Sequence, residues 1–300
     1  MPGIHRIGGI IPVLFSFFDE RGAIRLDAFD HQIDHCLENG ATGIVLFGFV
    51  TQFYRLSFAE KVAITERCAR RLDGRGTLGL TVMEPTPEGQ QDLIRLGEDN
   101  GVDWIILQPP LGPPPGGRRW LPLIRHLASS TSLAVAVQNA AMTGSTLSID
   151  DLVALQEACP NVRYVKAETD MLDIADFASR HGSNFGVITG NWGIDYPFQR
   201  LQGVHGLIPA PSFVREQVAI HGAFEPGGGG IEAALPIQER ILPLMQFFRE
   251  RSIDEQLLLA KYVFAQRTGL DLGGERLPAS GPLDRRMVEY VNRLTRRLDG

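Results

Sequence analysis

Residues 161–170 read NVRYVKAETD. Lys166 and Glu168 stand two apart, in step with Val162 and Tyr164. On a β-strand, side chains at every second position share a face. The pattern predicts an amine and a carboxylate on the same face as a valine and a tyrosine. Partial desolvation works against the charged form of an amine, and the neutral form condenses with a ketone to give a Schiff base. The resulting iminium acts as an electron sink for the adjacent carbon, and a nearby carboxylate can carry the protons. The same two residues also fit an ion pair at a strand edge, because a close carboxylate favours the ammonium form. Lysine scarcity weighs toward chemistry: of 29 basic residues only Lys61, Lys166 and Lys261 are lysines, and arginine fills the surface role.

An amine and a carboxylate need a frame to hold them. Short apolar runs at 8–17, 43–48, 76–83, 103–110, 132–139, 162–168, 185–191 and 204–210 alternate with amphipathic stretches such as 26–40, 58–72, 87–101 and 148–160. Gly40, Gly101 and Pro160 stand where helices end, and Ser148 with Asp151 has the form of a capping box. Strands apolar on both faces suit a sheet covered by helices. Eight strand–helix units predict an α/β fold, a closed (β/α)8 TIM barrel, over residues 1–225. The rival, a doubly wound open sheet, would carry a phosphate-binding glycine motif after its first strand, and none is present. FEPGGGG at 224–230 marks a flexible break and, with no strand before it, is not a phosphate cradle. Helical patterns at 231–250, 253–268 and 282–298 then give residues 226–300 as a C-terminal helical appendage packed on the barrel. In such a barrel catalytic groups sit at the C-terminal ends of the strands. Lys166 is expected at the end of the sixth strand, Tyr164 one layer deeper in the core, and Glu168 at the mouth.

Composition excludes several classes. Apolar residues make up 44% of the 300-residue chain and charged residues 21%, a globular mix, and the formal net charge of −6 speaks against nucleic acid. The three cysteines, Cys36, Cys68 and Cys159, are far apart and form no CxxC pair, so neither disulfides nor a cysteine zinc site is expected. MPGIHRIGGIIPVLF lacks the form of a signal peptide, and no apolar run reaches the ~18 residues that span a bilayer. A cytoplasmic protein without membrane partners is expected. His31 and His35 have the i, i+4 spacing of metal ligands but no apparent third ligand, and are assigned to a solvated helix face; no metal is expected.

The YVKAE strand resembles the Schiff-base strand of the dihydrodipicolinate synthase / N-acetylneuraminate lyase family. IIPVLFSFFDERGAIRLDAFDHQIDHCLENGATGIVLFG is similar to that family's opening strand, helix and second strand. FYRLSFAEK, TGNWG (189–193), LPLMQFF and LLLAKYVFAQRTG resemble its later segments, so the likeness spans nearly the whole chain. It implies a TIM barrel, a Schiff-base lysine at Lys166, pyruvate or another 2-keto acid as electrophile, no cofactor beyond the covalent Schiff base, and a homo-oligomer, tetramer or dimer.

The chain departs from the family at three loops. The carboxylate loop, usually GTTGE, is Gly48-Phe49-Val50-Thr51-Gln52, where backbone N–H groups can still hold a carboxylate and Thr51 can offer a hydroxyl. The second tyrosine of the family's PYY stretch, its proton relay, is replaced by Leu111 in the stiff PPLGPPPGG. After the fifth strand, YNVP followed by an arginine becomes Gln138-Asn139-Ala140-Ala141-Met142-Thr143-Gly144, which removes a grip on a second carboxylate and argues against a role in lysine biosynthesis. Family members without the relay tyrosine include dehydratases of 2-keto-3-deoxy sugar acids, in which a glutamate two residues after the lysine serves as acid and base. Lys166-Ala167-Glu168 resembles that arrangement. The expectation is therefore a lyase that dehydrates a 2-keto-3-deoxy sugar acid. Retro-aldol cleavage or condensation with pyruvate is the alternative, and a non-catalytic 2-keto acid binder is a third possibility. Lys166, Glu168 and Asp195 are the expected catalytic residues; Asp195 also fits the first turn of a helix. Gly48, Phe49, Val50, Thr51, Asn139, Gly190 and Ile208 are the expected substrate-binding residues. Tyr54 is a weaker relay candidate, Gln138 a weaker substrate contact, and Lys61 and Lys261 are expected to be ordinary helix residues.

Overall fold

The computed structural model describes residues 7–109, 117–141, 146–279 and 281–298. Eight strands, β1 (Gly9–Ile10), β2 (Gly43–Leu46), β3 (Thr77–Val82), β4 (Trp104–Leu107), β5 (Ala134–Ala140), β6 (Val162–Glu168), β7 (Gly186–Thr189) and β8 (Gly206–Leu207), form one parallel sheet. They alternate with α1 (Leu26–Glu38), α2 (Phe58–Leu72), α3 (Pro87–Asp99), α4 (Leu121–Ser129), α5 (Ile149–Ala158), α6 (Met171–His181), α7 (Tyr196–Leu201) and α8 (Val214–Gly222). The sheet order is β1-β8-β7-β6-β5-β4-β3-β2. A parallel bridge between Val13 and Val45 closes the ring, with Leu14 N–H donating to the Val45 carbonyl and Val45 N–H to the Pro12 carbonyl. β1 is short because Pro12 has no N–H to give to the ladder. The expected TIM barrel is present.

Two apolar layers define it. Inside the ring, Ile11, Trp104, Ile106, Tyr164, Ile188 and Ile208 pack together. Trp104 can lie across this interior because its partner in register, Gly79, has no side chain: a Cβ there would be 2.6 Å from the indole. Outside the ring, the helices share one core with the C-terminal helices α9 (Gly230–Arg249), α10 (Ile253–Thr268) and α11 (Arg285–Thr295). Phe264 of α10, for example, lies 6.1 Å from Phe15 and 6.2 Å from Phe17 between ring centroids.

Local signals do what their chemistry allows. Ser148 and Asp151 form the expected capping box at α5, and Ser57–Glu60 and Ser252–Glu255 form two more at α2 and α10. The glycine-rich stretch before α9 is not a slack break. Gly228 N–H donates to the Glu225 carbonyl and Gly230 N–H to the Ala223 carbonyl, which makes a closed turn from α8 into α9. Val162 does not share the face of Tyr164. The β5–β6 register slips between Val135 and Ala136, Arg163 is exposed, and Val162 joins the outer core. A bulge adds one residue to a strand and so swaps the faces before it. Cys36, Cys68 and Cys159 are buried free thiols. Among the described residues no helix is long and apolar enough to cross a membrane.

Candidate active site

Strand β6 sends Tyr164 and Lys166 into the barrel, with Glu168 above them. Tyr164 is buried, and its hydroxyl accepts the Ile7 N–H, which fits the expected core layer. Lys166 Nζ lies 3.4 Å from Glu168 Oε1, and both side chains are 12% exposed. Strand spacing alone would leave two such residues about 6–7 Å apart; the side chains close the gap. The ion pair open at the sequence level therefore exists, inside the barrel rather than at a strand edge.

Gln138 completes the group. It faces Lys166 across the β5–β6 ladder, accepts a hydrogen bond from Lys166 Nζ at Oε1 (3.2 Å) and donates one from Nε2 to Glu168 Oε2 (2.8 Å). The sequence offered a signal for it: alternation from Ala136 puts Gln138 inward and Asn139 outward. Asn139 is accordingly not a lumen residue. It pairs with the Leu147 backbone through both its amide atoms and lines a cleft of about 400 Å³ beside Leu147, Val165 and Phe177 on the outer side. Gln108, at the end of β4, is buried, with Oε1 unpartnered among the described residues.

The loop after β7 supports the carboxylate. Asn191 N–H donates to Glu168 Oε1 at 3.1 Å, and a Cβ on Gly190 would lie 1.8 Å from that same oxygen. Gly190 thus makes room for Glu168 instead of lining a separate carboxylate end. Asp195 sits at the N-terminal boundary of α7, where its carbonyl accepts the Phe198 and Gln199 N–H groups. No described hydrogen bond or ion pair joins it to Lys166 or Glu168, so its place is that of a helix-start residue. Ile208 is buried in the barrel interior and supplies an apolar wall.

The loop after β2 is tightly built. Gly48 precedes a 3₁₀ turn, Phe49–Thr51, and approaches Val13 and Thr81 of the lumen. Thr51 is fully buried; its hydroxyl oxygen accepts the Phe47 N–H (3.0 Å), and its carbonyl accepts the Ser16 hydroxyl (2.6 Å). That hydroxyl oxygen therefore folds the loop. The amides of Phe49 and Val50, first in the turn, have no acceptor within it. Their side chains are half-buried against the core. Among the described residues, five non-glycine residues have left-handed φ, and four of them, Phe47, Gln52, Asn191 and Trp192, belong to these two loops. Each such residue costs on the order of 1 kcal/mol, and strain of this kind gathers at functional sites.

Three weaker candidates lie elsewhere. Tyr54 donates to Asp254 Oδ1 of α10 (3.2 Å), and burial together with that carboxylate pushes its phenol up to about 12. It is a helix contact, not a relay. His31 and His35 stand edge-on to Phe264 of α10, so they face a helix rather than open solvent. Among the described residues no group of three or more His, Cys, Asp or Glu could hold a metal. Leu111, Met142, Thr143 and Gly144 lie outside the described residues. Lys61 and Lys261 are not ordinary helix residues. Both are buried, Lys61 against Glu84 and Lys261 3.0 Å from Glu275.

The profile of the Dihydrodipicolinate synthetase family matches residues 6–296. The 4-hydroxy-tetrahydrodipicolinate synthase of Bacillus velezensis is 24% identical over 274 residues, covering 91% of this chain and 93% of its own. That of Listeria monocytogenes serotype 4a is 27% identical over 254 residues, covering 83% and 84%. Among solved structures, dihydrodipicolinate synthase from Oceanobacillus iheyensis superposes with a TM-score of 0.88 at 20% identity, covering 99% of this chain and 98% of the other. YagE, a prophage protein of the dihydrodipicolinic acid synthase family from E. coli K12 solved in complex with pyruvate, gives 0.88 at 19% identity, covering 98% and 99%.

Proposed function

Because the chain belongs to the dihydrodipicolinate synthetase family, we propose that it is a Schiff-base-forming lyase acting on a 2-keto acid, with Lys166 as nucleophile. The observation that carries this is the contact of Lys166 with both Gln138 and Glu168 inside the barrel. Lys166 Nζ adds to the C2 carbonyl, and loss of water gives the iminium. The iminium withdraws electrons from C3, so no metal or organic cofactor is called for. Glu168 takes the C3 proton to leave an enamine, and returns it to the departing C4 hydroxyl. Hydrolysis of the conjugated iminium frees the product and restores Lys166. The net change is loss of one water from a 2-keto-3-deoxy sugar acid.

Dehydration is preferred for a chemical reason. Where the family has tyrosines, this chain has Gln138 and Leu111, which carry no ionisable group, while Glu168 offers a carboxylate beside Lys166. One carboxylate then serves both proton moves, without Asp195. The Gly48–Thr51 turn, through its amides, takes the substrate carboxylate. Retro-aldol cleavage to pyruvate is the second reading, favoured by the pyruvate complex of the E. coli relative. A homo-oligomer is proposed from the family likeness.

The test is to incubate the protein with pyruvate or a 2-keto-3-deoxy acid, reduce with borohydride, and locate the modified peptide by mass spectrometry. The adduct is expected on Lys166; its absence with every 2-keto acid would end the Schiff-base reading. Product masses separate dehydration from cleavage to pyruvate, and an adduct with no turnover marks a binding protein instead.

A further inference from the structure

Lys261 is buried in α10, far in sequence from the proposed site, and the chemistry above does not use it. Its Nζ donates to Gln52 Oε1 at 2.6 Å and to Glu275 Oε1 at 3.0 Å. The same nitrogen lies 5.8 Å from the Phe17 ring centroid and 5.3 Å from that of Phe18, within reach of cation–π attraction. Burial holds its pKa below the ordinary lysine value, with Glu275 opposing that shift. A buried cation costs free energy unless its partners repay the loss of water, and here one partner is the residue that ends the Gly48–Thr51 turn.

Gln52 is itself unusual. Its side chain is almost fully buried, and its backbone is left-handed at φ 53°. That conformation caps the Phe49–Thr51 turn, through the Gln52 N–H to the Phe49 carbonyl. The turn is thus held at three points: Ser16 on the Thr51 carbonyl, the Thr51 hydroxyl on Phe47, and Lys261 on Gln52. Only the third comes from outside the barrel. The helix that supplies it also reaches the second loop, where Trp192 Nε1 donates to Gln256 Oε1 at 3.3 Å.

We propose that Lys261 is a positioning residue, which through Gln52 fixes the Gly48–Thr51 turn and so sets the affinity of the site for the carboxylate of its 2-keto acid. The positioning half stands on the geometry alone; the affinity half rests on the proposed carboxylate role of that turn. Removing Lys261 leaves Gln52 Oε1 buried without this donor and the turn, capped by left-handed Gln52, without its outer tie. The amides of Phe49 and Val50 then lose their fixed direction, while Lys166, Gln138 and Glu168, on β5 and β6, stay where they are.

Two measurements on the full chain test this, in Lys261→Met and Gln52→Met. The second variant keeps the Lys261–Glu275 pair and guards against a general loss of folding in the first. In hydrogen exchange, peptides covering residues 48–52 are expected to exchange at least tenfold faster in both variants, with β6 protection unchanged. Gln52→Glu, which still offers Lys261 an acceptor, is expected to keep its protection. In borohydride trapping with pyruvate, the half-saturating concentration is expected to rise about tenfold in both Met variants, with the same final adduct on Lys166. Unchanged exchange at 48–52 in Gln52→Met overturns the proposal, whatever the trapping shows. Faster exchange with an unchanged trapping curve overturns its affinity half and removes the carboxylate role from this turn. Absence of any adduct in the unmodified protein is the separate failure of the Schiff-base reading.

Discussion

Glu168 is held from three directions: it is paired with the Lys166 amine and accepts the Asn191 N–H at one oxygen, and accepts from Gln138 at the other. In the proposed chemistry the amine becomes an iminium with a single N–H, and the carboxylate loses part of that hold. Glu168→Gln is expected to retain the borohydride adduct on Lys166 and to lose about 10²–10⁴-fold in turnover, the range for general acid–base groups. Steady-state rates beside adduct mass spectra check this, and an unaffected rate removes Glu168 from the mechanism. Gly190→Ala probes the same oxygen without changing its chemistry. The new methyl would lie 1.8 Å from Oε1, so the same split between adduct and turnover is expected, with the carboxylate displaced rather than neutralised.

At the scale of elements, the segment between α10 and α11 fastens the start of α2. Arg276 donates two hydrogen bonds to Glu60, at 2.6 and 2.9 Å, while Glu60 also closes the capping box with Ser57. The Arg276 guanidinium, then the Ser57 hydrogen bonds, hold the Glu60 carboxyl down to about 2, against an ordinary value of 4.5. A carboxylate depressed in the fold contributes stability that is fully present above pH 4.5 and is lost as pH falls toward 2. Glu60→Gln should therefore narrow its stability gap to the unmodified protein across that window, as followed by denaturant midpoints at stepped pH. An equal gap at every pH would show that the contact, not the charge, matters. These elements also show what was legible in the sequence. Strand β6 and the helices of the barrel follow from apolar period and caps, which are local. Other features are not local. The bulge at Arg163 turned Val162 outward. The partners of Lys61 and Lys261, Glu84, Gln52 and Glu275, lie 23, 209 and 14 residues away. No periodicity reports such pairs, so two buried lysines read as ordinary helix residues. Lys166 was legible because its partner, Glu168, lies two residues along the same strand.

At the scale of the whole molecule, the barrel closes on itself and the C-terminal helices complete its outer core. Each of the chain's three lysines is enclosed in that body against a glutamate: Lys61 with Glu84, Lys166 with Glu168, Lys261 with Glu275. The outward cations are arginines, as in the Arg67–Asp30 and Arg71–Asp34 pairs between α1 and α2. Reagents that methylate, acylate or glycate lysine side chains therefore meet a nearly inert exterior. Brief treatment of the folded protein with formaldehyde and a mild reductant is expected to mark Lys166, at 12% exposure, well ahead of Lys61 at 5% and Lys261 at 1%. Peptide mapping against an unfolded control reads that order directly. A small carbonyl compound arriving from bulk solvent then finds the barrel mouth to be its easiest route to a lysine amine.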